Sequence, residues 1–67
     1  MNEIQEKIFE LEECIYNMHF ANIGIIKYNR LSCFKDAAEE MKIFNENFDY
    51  VIELLVELKI LLKDQAE

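Results

Sequence analysis

At 67 residues the chain has room for one small domain. Apolar residues make up 52% and charged residues 31%, with one glycine (Gly24) and no proline. This composition excludes collagen-like and proline-rich polymers and is too apolar for a typical disordered tail. Fourteen acids against seven bases give a formal charge of −7, which argues against binding nucleic acid through its phosphates and against anionic membranes.

The first predicted element is a helix over about 3–28. Ile4, Ile8, Leu11, Ile15, Met18 and Ile25 recur at alternating steps of four and three, with Asn22 filling the gap, as in a heptad seam running to Asn29. Glu3, Glu6, Glu10, Glu13 and Asn17 form its polar face. Beside the seam, Phe9, Tyr16 and Ile23 recur every seven residues, with Phe20 close by.

A turn is expected over about 29–33. The first seam would place Ser32 and Asp36 in the core, whereas the apolar residues there are Phe34 and Ala37, so one continuous helix cannot carry both stripes. Asn29-Arg30-Leu31-Ser32 supplies turn-tolerant residues. Ser32, or Asp36 with Glu39 three residues on, is the expected cap of the next helix. Gly24 is the weaker candidate for the break, because Ile25, Ile26 and Tyr28 carry the apolar pattern past it.

The second predicted helix covers about 34–64. Phe34, Ala37, Met41, Phe44, Phe48, Val51, Leu55, Leu58 and Leu62 form its seam. Ile43 and Tyr50 flank one side, and Leu54 and Leu61 the other. Lys59 and Lys63 suit the negative end of the helix dipole.

Residues 1–67 therefore read as one all-α domain, an antiparallel hairpin of two long helices. Each helix carries an apolar arc wider than one neighbour can cover. Chains of this size usually need a staple, and two cysteines, Cys14 and Cys33, are too few for a disulfide framework. The expected staple is a second copy, giving a homodimeric four-helix bundle, with a tetramer as the larger option. The expected self-association and partner surface is Phe9, Tyr16, Phe20, Ile23, Ile43, Tyr50, Leu54 and Leu61.

Charge runs acidic, basic, acidic: residues 1–13 carry net −4, 14–35 carry +3, 36–57 carry −6 and 58–67 balance. Two hairpins packed head to tail would put each basic turn near the other's acidic end. The acidic face of the second helix comprises Asp36, Glu39, Glu40, Glu46, Asp49, Glu53 and Glu57. Such a row resembles a phosphate backbone in spacing and sign, although a solvated helix face is the simpler account of it.

No chemistry assembles from the residue types. The only serine is Ser32 and there is no threonine, so no nucleophile–base pair is expected. One glycine leaves no phosphate-binding loop. The residue three before the lone His19 is Tyr16, so the Glu-x-x-His pattern of bundle metal sites fails. We expect no catalytic, cofactor-binding or metal residues, no cofactor and no enzymatic activity. Ligand binding in the core would require Asn22, Asn47 and His19 to turn inward together. Acids at residues 3 and 6, where a signal peptide carries bases, point to a cytoplasmic protein.

The functional expectation is a small acidic interaction module that binds and modulates, most simply inhibits, a larger protein, with the acidic balance permitting a basic one, and with no direct contact to nucleic acid or membrane. The alternatives are a purely structural oligomerisation element and an acidic nucleic-acid mimic. In general architecture the chain resembles small plasmid- and phage-encoded helical hairpins that dimerise into four-helix bundles, which implies a phage or mobile-element origin. Small bacterial phosphatases acting on aspartyl phosphate share the hairpin and the length, but their Ser-Gln-Glu-Leu-Asp motif is absent, and their activity is not implied.

Overall fold

The computed structural model describes residues 2–66. It is an all-α helical hairpin of α1 (Glu3–Arg30) and α2 (Phe34–Ala66), with principal extents of 52 × 18 × 12 Å. No helix among the described residues is long and apolar enough to cross a membrane.

Each end of α1 has a local cause. Asn2 is the N-cap: its side chain accepts from the Gln5 backbone N–H at 2.8 Å, and the Gln5 side chain accepts from the Asn2 N–H at 3.1 Å. This reciprocal capping box satisfies two donors that the first turn leaves unpaired. At the other end the Cys33 N–H donates to the Tyr28 carbonyl at 2.8 Å and the Ser32 N–H donates to the Asn29 carbonyl at 3.1 Å. That pair of bonds is the Schellman motif, which requires a left-handed residue just past the helix. Ser32 fills that place at φ 57°. Ser32 thus ends α1 and is not the cap of α2. Asp36 does not cap α2 either, since it lies within the first turn, where its charge suits the positive end of the helix dipole. The Cys33 carbonyl accepts the first bond of α2, from the Ala37 N–H.

The seam between the helices differs from the expected one by a consistent rotation. Ile4, Leu11, Met18 and Ile25 face α2 as expected, but Lys7, Cys14, Ala21 and Tyr28 alternate with them in place of Ile8, Ile15, Asn22 and Asn29. On α2, Ala37, Phe44, Val51 and Leu58 face α1, alternating with Glu40, Asn47, Leu54 and Leu61 in place of Met41, Phe48, Leu55 and Leu62. Each helix is turned by about 50° from the expected orientation, half of one residue's angular step. The tightest burial falls on Cys14, Ala21, Ala37, Leu54 and Leu58, with Ala21 at 2% exposure and Leu54 at 1%. Small residues let the backbones approach, so the pair closes on Cys14, Ala21 and Ala37 and leaves the bulkier set outside. Gly24 belongs to the same close approach: a Cβ there would stand 2.9 Å from the side chain of Glu40.

Candidate interaction surface

Two antiparallel helices form a layer with two broad faces. In such a pair the heptad positions next to the seam sort together, each kind from both helices onto one face. On one face α1 contributes Ile8 and Ile15, and α2 contributes Phe34, Met41, Phe48, Leu55 and Leu62. All seven are exposed; Ile15 is 52% and Phe48 45% accessible. A shallow groove lined by Asn22, Ile25, Met41, Phe44 and Asn45 runs along this face. Among the described residues Glu12 is the one acid on it.

The opposite face collects the acids. Glu3, Glu6, Glu10 and Glu13 of α1 lie there with Asp36, Glu39, Glu46, Glu53, Glu57 and Asp64 of α2, joined by Lys27 and by the Lys7 ammonium at the rim. The polar links between the helices are on this side. The Tyr50 hydroxyl donates to Glu10 Oε2 at 3.2 Å, Asn17 Nδ2 donates to Asn47 Oδ1 at 3.3 Å, and Lys7 pairs with Glu57. The hydrogen bond to Glu57, helped by the charges of Glu57, Glu3 and Glu10, raises the Lys7 pKa against the opposing cost of its burial. Lys7 keeps an inward seam position because its long stem reaches the rim, where the ammonium finds this partner.

The expected interface residues scatter. Phe9, Tyr16 and Ile23 form an exposed ridge on the outward side of α1. Phe20 is exposed toward the acidic face, beside the His19 ring. Ile43 and Tyr50 flank the seam on the acidic face, where Tyr50 is engaged by Glu10. Leu54 and Leu61 were expected to flank the seam and instead lie in it, Leu54 fully buried and Leu61 half-buried. These eight residues do not make one patch. The seven-residue face gathers exposed apolar side chains from both helices, and its members were expected inside the hairpin. Cys14 and Ala21, seven residues apart on α1, and Ala37 on α2 are the small residues in the sequence that mark the true seam.

The acidic row of α2 is also divided. Glu40 turns onto Gly24 and is half-buried, Glu57 is paired with Lys7, and Asp49 points outward away from the rest. Asn22, Asn47 and His19 do not converge in a core site. Asn47 is bonded to Asn17 and to the Ile43 carbonyl, while Asn22 and His19 are exposed. Burial pushes the Cys14 thiol pKa up, with Glu10 and Glu13 adding to the effect, so this side chain packs as a small apolar group. Among the described residues no three of His, Cys, Asp and Glu gather where they could hold a metal ion.

No protein-family model matches the sequence, and searches of curated proteins and of solved structures give no match either.

Proposed function

We propose that this protein is a non-enzymatic interaction module in which two hairpins pair through their apolar faces as a four-helix bundle. The bundle presents its acidic faces and the aromatic ridge of α1 to a larger protein and modulates it by occupying a binding surface.

The apolar face supports the first part of this reading, and the hairpin as a whole exposes more surface than a compact chain of its mass. The hairpin exposes 5367 Å². A compact monomer of 8.0 kDa exposes about 4450 Å². The excess of about 900 Å² is close to the ~800 Å² that each partner buries in a standard stable interface. Contiguous apolar patches of this kind on soluble chains mark association sites.

The outward side of α1 supports the second part. Phe9, Tyr16 and Ile23 stand at successive heptads, the spacing by which a helix enters an apolar groove, and Glu6 and Glu13 border them. The partner that fits is a protein with an apolar groove and a basic rim. Sorting of ten acids onto one face gives the nucleic-acid-mimic reading a specific footing as the alternative.

Sedimentation velocity at low micromolar concentration tests the assembly. A mass of twice 8.0 kDa that falls to 8.0 kDa in Phe48→Glu, with helicity kept, is the expected result. A compact wild-type monomer refutes it. For the partner, a protein retained by immobilised wild type and lost with Tyr16→Ala identifies the ridge. Displacement of that protein by DNA favours the mimic reading instead.

A further inference from the structure

We propose that the two copies dock head to tail, the turn of each hairpin lying beside the open end of the other. This rests on the reading that the apolar face receives a second copy; it adds the direction in which that copy lies.

Face-to-face pairing of two such layers allows two twofold arrangements. With the axis along the hairpin, the turns lie together and the open ends lie together. With the axis across the hairpin, each turn lies beside an open end. Apolar area is the same in both, because both bury the same face, so the choice falls to charge.

The hairpin is strongly polarised along its 52 Å length. Its turn half, residues 17–48, carries four bases (Lys27, Arg30, Lys35, Lys42) and four acids (Asp36, Glu39, Glu40, Glu46). The open half, the remaining residues, carries three bases and ten acids. The halves are therefore net 0 and −7. Turn-to-turn docking sets the two −7 halves side by side. Head-to-tail docking sets each −7 half beside a neutral half. Single exposed pairs contribute little, but like-charge crowding on this scale opposes assembly. The preference is greatest at low ionic strength, where the screening length exceeds the width of a bundle.

The apolar stripe of α2 is compatible with this choice. It is symmetric about Phe48, with Met41 and Leu55 seven residues to either side and Phe34 and Leu62 fourteen. Head-to-tail docking lays α2 over α2. Phe48 then meets its equivalent, Met41 meets Leu55, and Phe34 meets Leu62, apolar against apolar along the whole stripe.

Cys33 is a natural reporter. It is exposed at the turn, whereas the only other cysteine, Cys14, is buried. A nitroxide on Cys33 of the Cys14→Ala protein, read by pulsed dipolar spectroscopy in low-salt buffer, gives the distance between the two turns. Native protein labelled under folded conditions, where only Cys33 is open to the reagent, serves if the variant folds poorly. Head-to-tail docking predicts a separation approaching the 52 Å length of the hairpin. A separation under about 20 Å, two helix diameters, overturns the direction and leaves the bundle intact. Absence of any dipolar coupling together with a monomeric sedimentation coefficient overturns both.

Discussion

The Tyr50 hydroxyl donates to Glu10 Oε2 at 3.2 Å, joining α2 to α1 across the acidic face. The bond draws one exposed aromatic residue into the polar margin of the hairpin. It also favours the protonated phenol. The hydrogen bond to Glu10 is the main reason the Tyr50 pKa is raised, and the repulsion between a phenolate and the Glu10 carboxylate adds to it.

The sign of the pH dependence follows. The folded pKa lies above the ordinary value of 10.0, so the contribution of this bond is fully present below pH 10. It is lost as pH rises through the higher folded value. Ultraviolet titration of phenolate absorbance should show the Tyr50 transition moving to lower pH in Glu10→Ala. An unchanged titration curve would show that the bond is not formed in solution.

Two adjacent leucines should behave differently. Leu54 is 1% exposed and Leu55 is 50% exposed. Leu54→Ala opens a cavity inside the hairpin and should cost about 2–5 kcal/mol at any protein concentration. Leu55→Ala removes surface from the apolar face. It should leave the hairpin folded and reduce the dependence of Tm on concentration that a dimer shows. Thermal melts by circular dichroism at two concentrations separate the two cases.

Ser32 occupies a left-handed position at φ 57°, where a Cβ is strained and glycine is not. Ser32→Gly should raise stability by about 0.5–1 kcal/mol, the strain of one non-glycine residue in that region less the added chain entropy. Urea unfolding with an unchanged m-value is the check.

Gly24 costs α1 about 1 kcal/mol relative to alanine in a helix interior. A Cβ at Gly24 would meet the Glu40 side chain at 2.9 Å. Glu40 is half-buried at a seam position, and its side chain must rotate toward the rim to admit the methyl group. Gly24→Ala should therefore stabilise by about 0.5 kcal/mol, a little under the propensity gain. Loss of stability would mean that Glu40 is held where it is.

The two thiols should be distinguishable by reagent. Cys33 is exposed, and Cys14 is buried with its pKa raised by that burial. One thiol per chain should react promptly with an aromatic disulfide reagent under native conditions, and the second only on unfolding. Two prompt thiols would place Cys14 outside the seam.

The hairpin was legible in the sequence because its signals are local. Heptad recurrence from Ile4 to Ile25 and from Ala37 to Leu58 makes two amphipathic helices, and the phase change between them demands a turn at residues 29–33. No longer-range information is needed for either, since 3.6 residues per turn is a property of the backbone. Which flank of each stripe points inward was not legible. Both Ile8 and Lys7 neighbour the same seam position, and apolarity alone favours Ile8. The tertiary structure decides otherwise, because the two backbones close where Cys14, Ala21 and Ala37 let them. That same choice sends Ile8, Ile15, Met41, Phe48 and Leu55 to one face and the carboxylates to the other. The sorting depends on how two helices meet, and neither helix by itself contains that information.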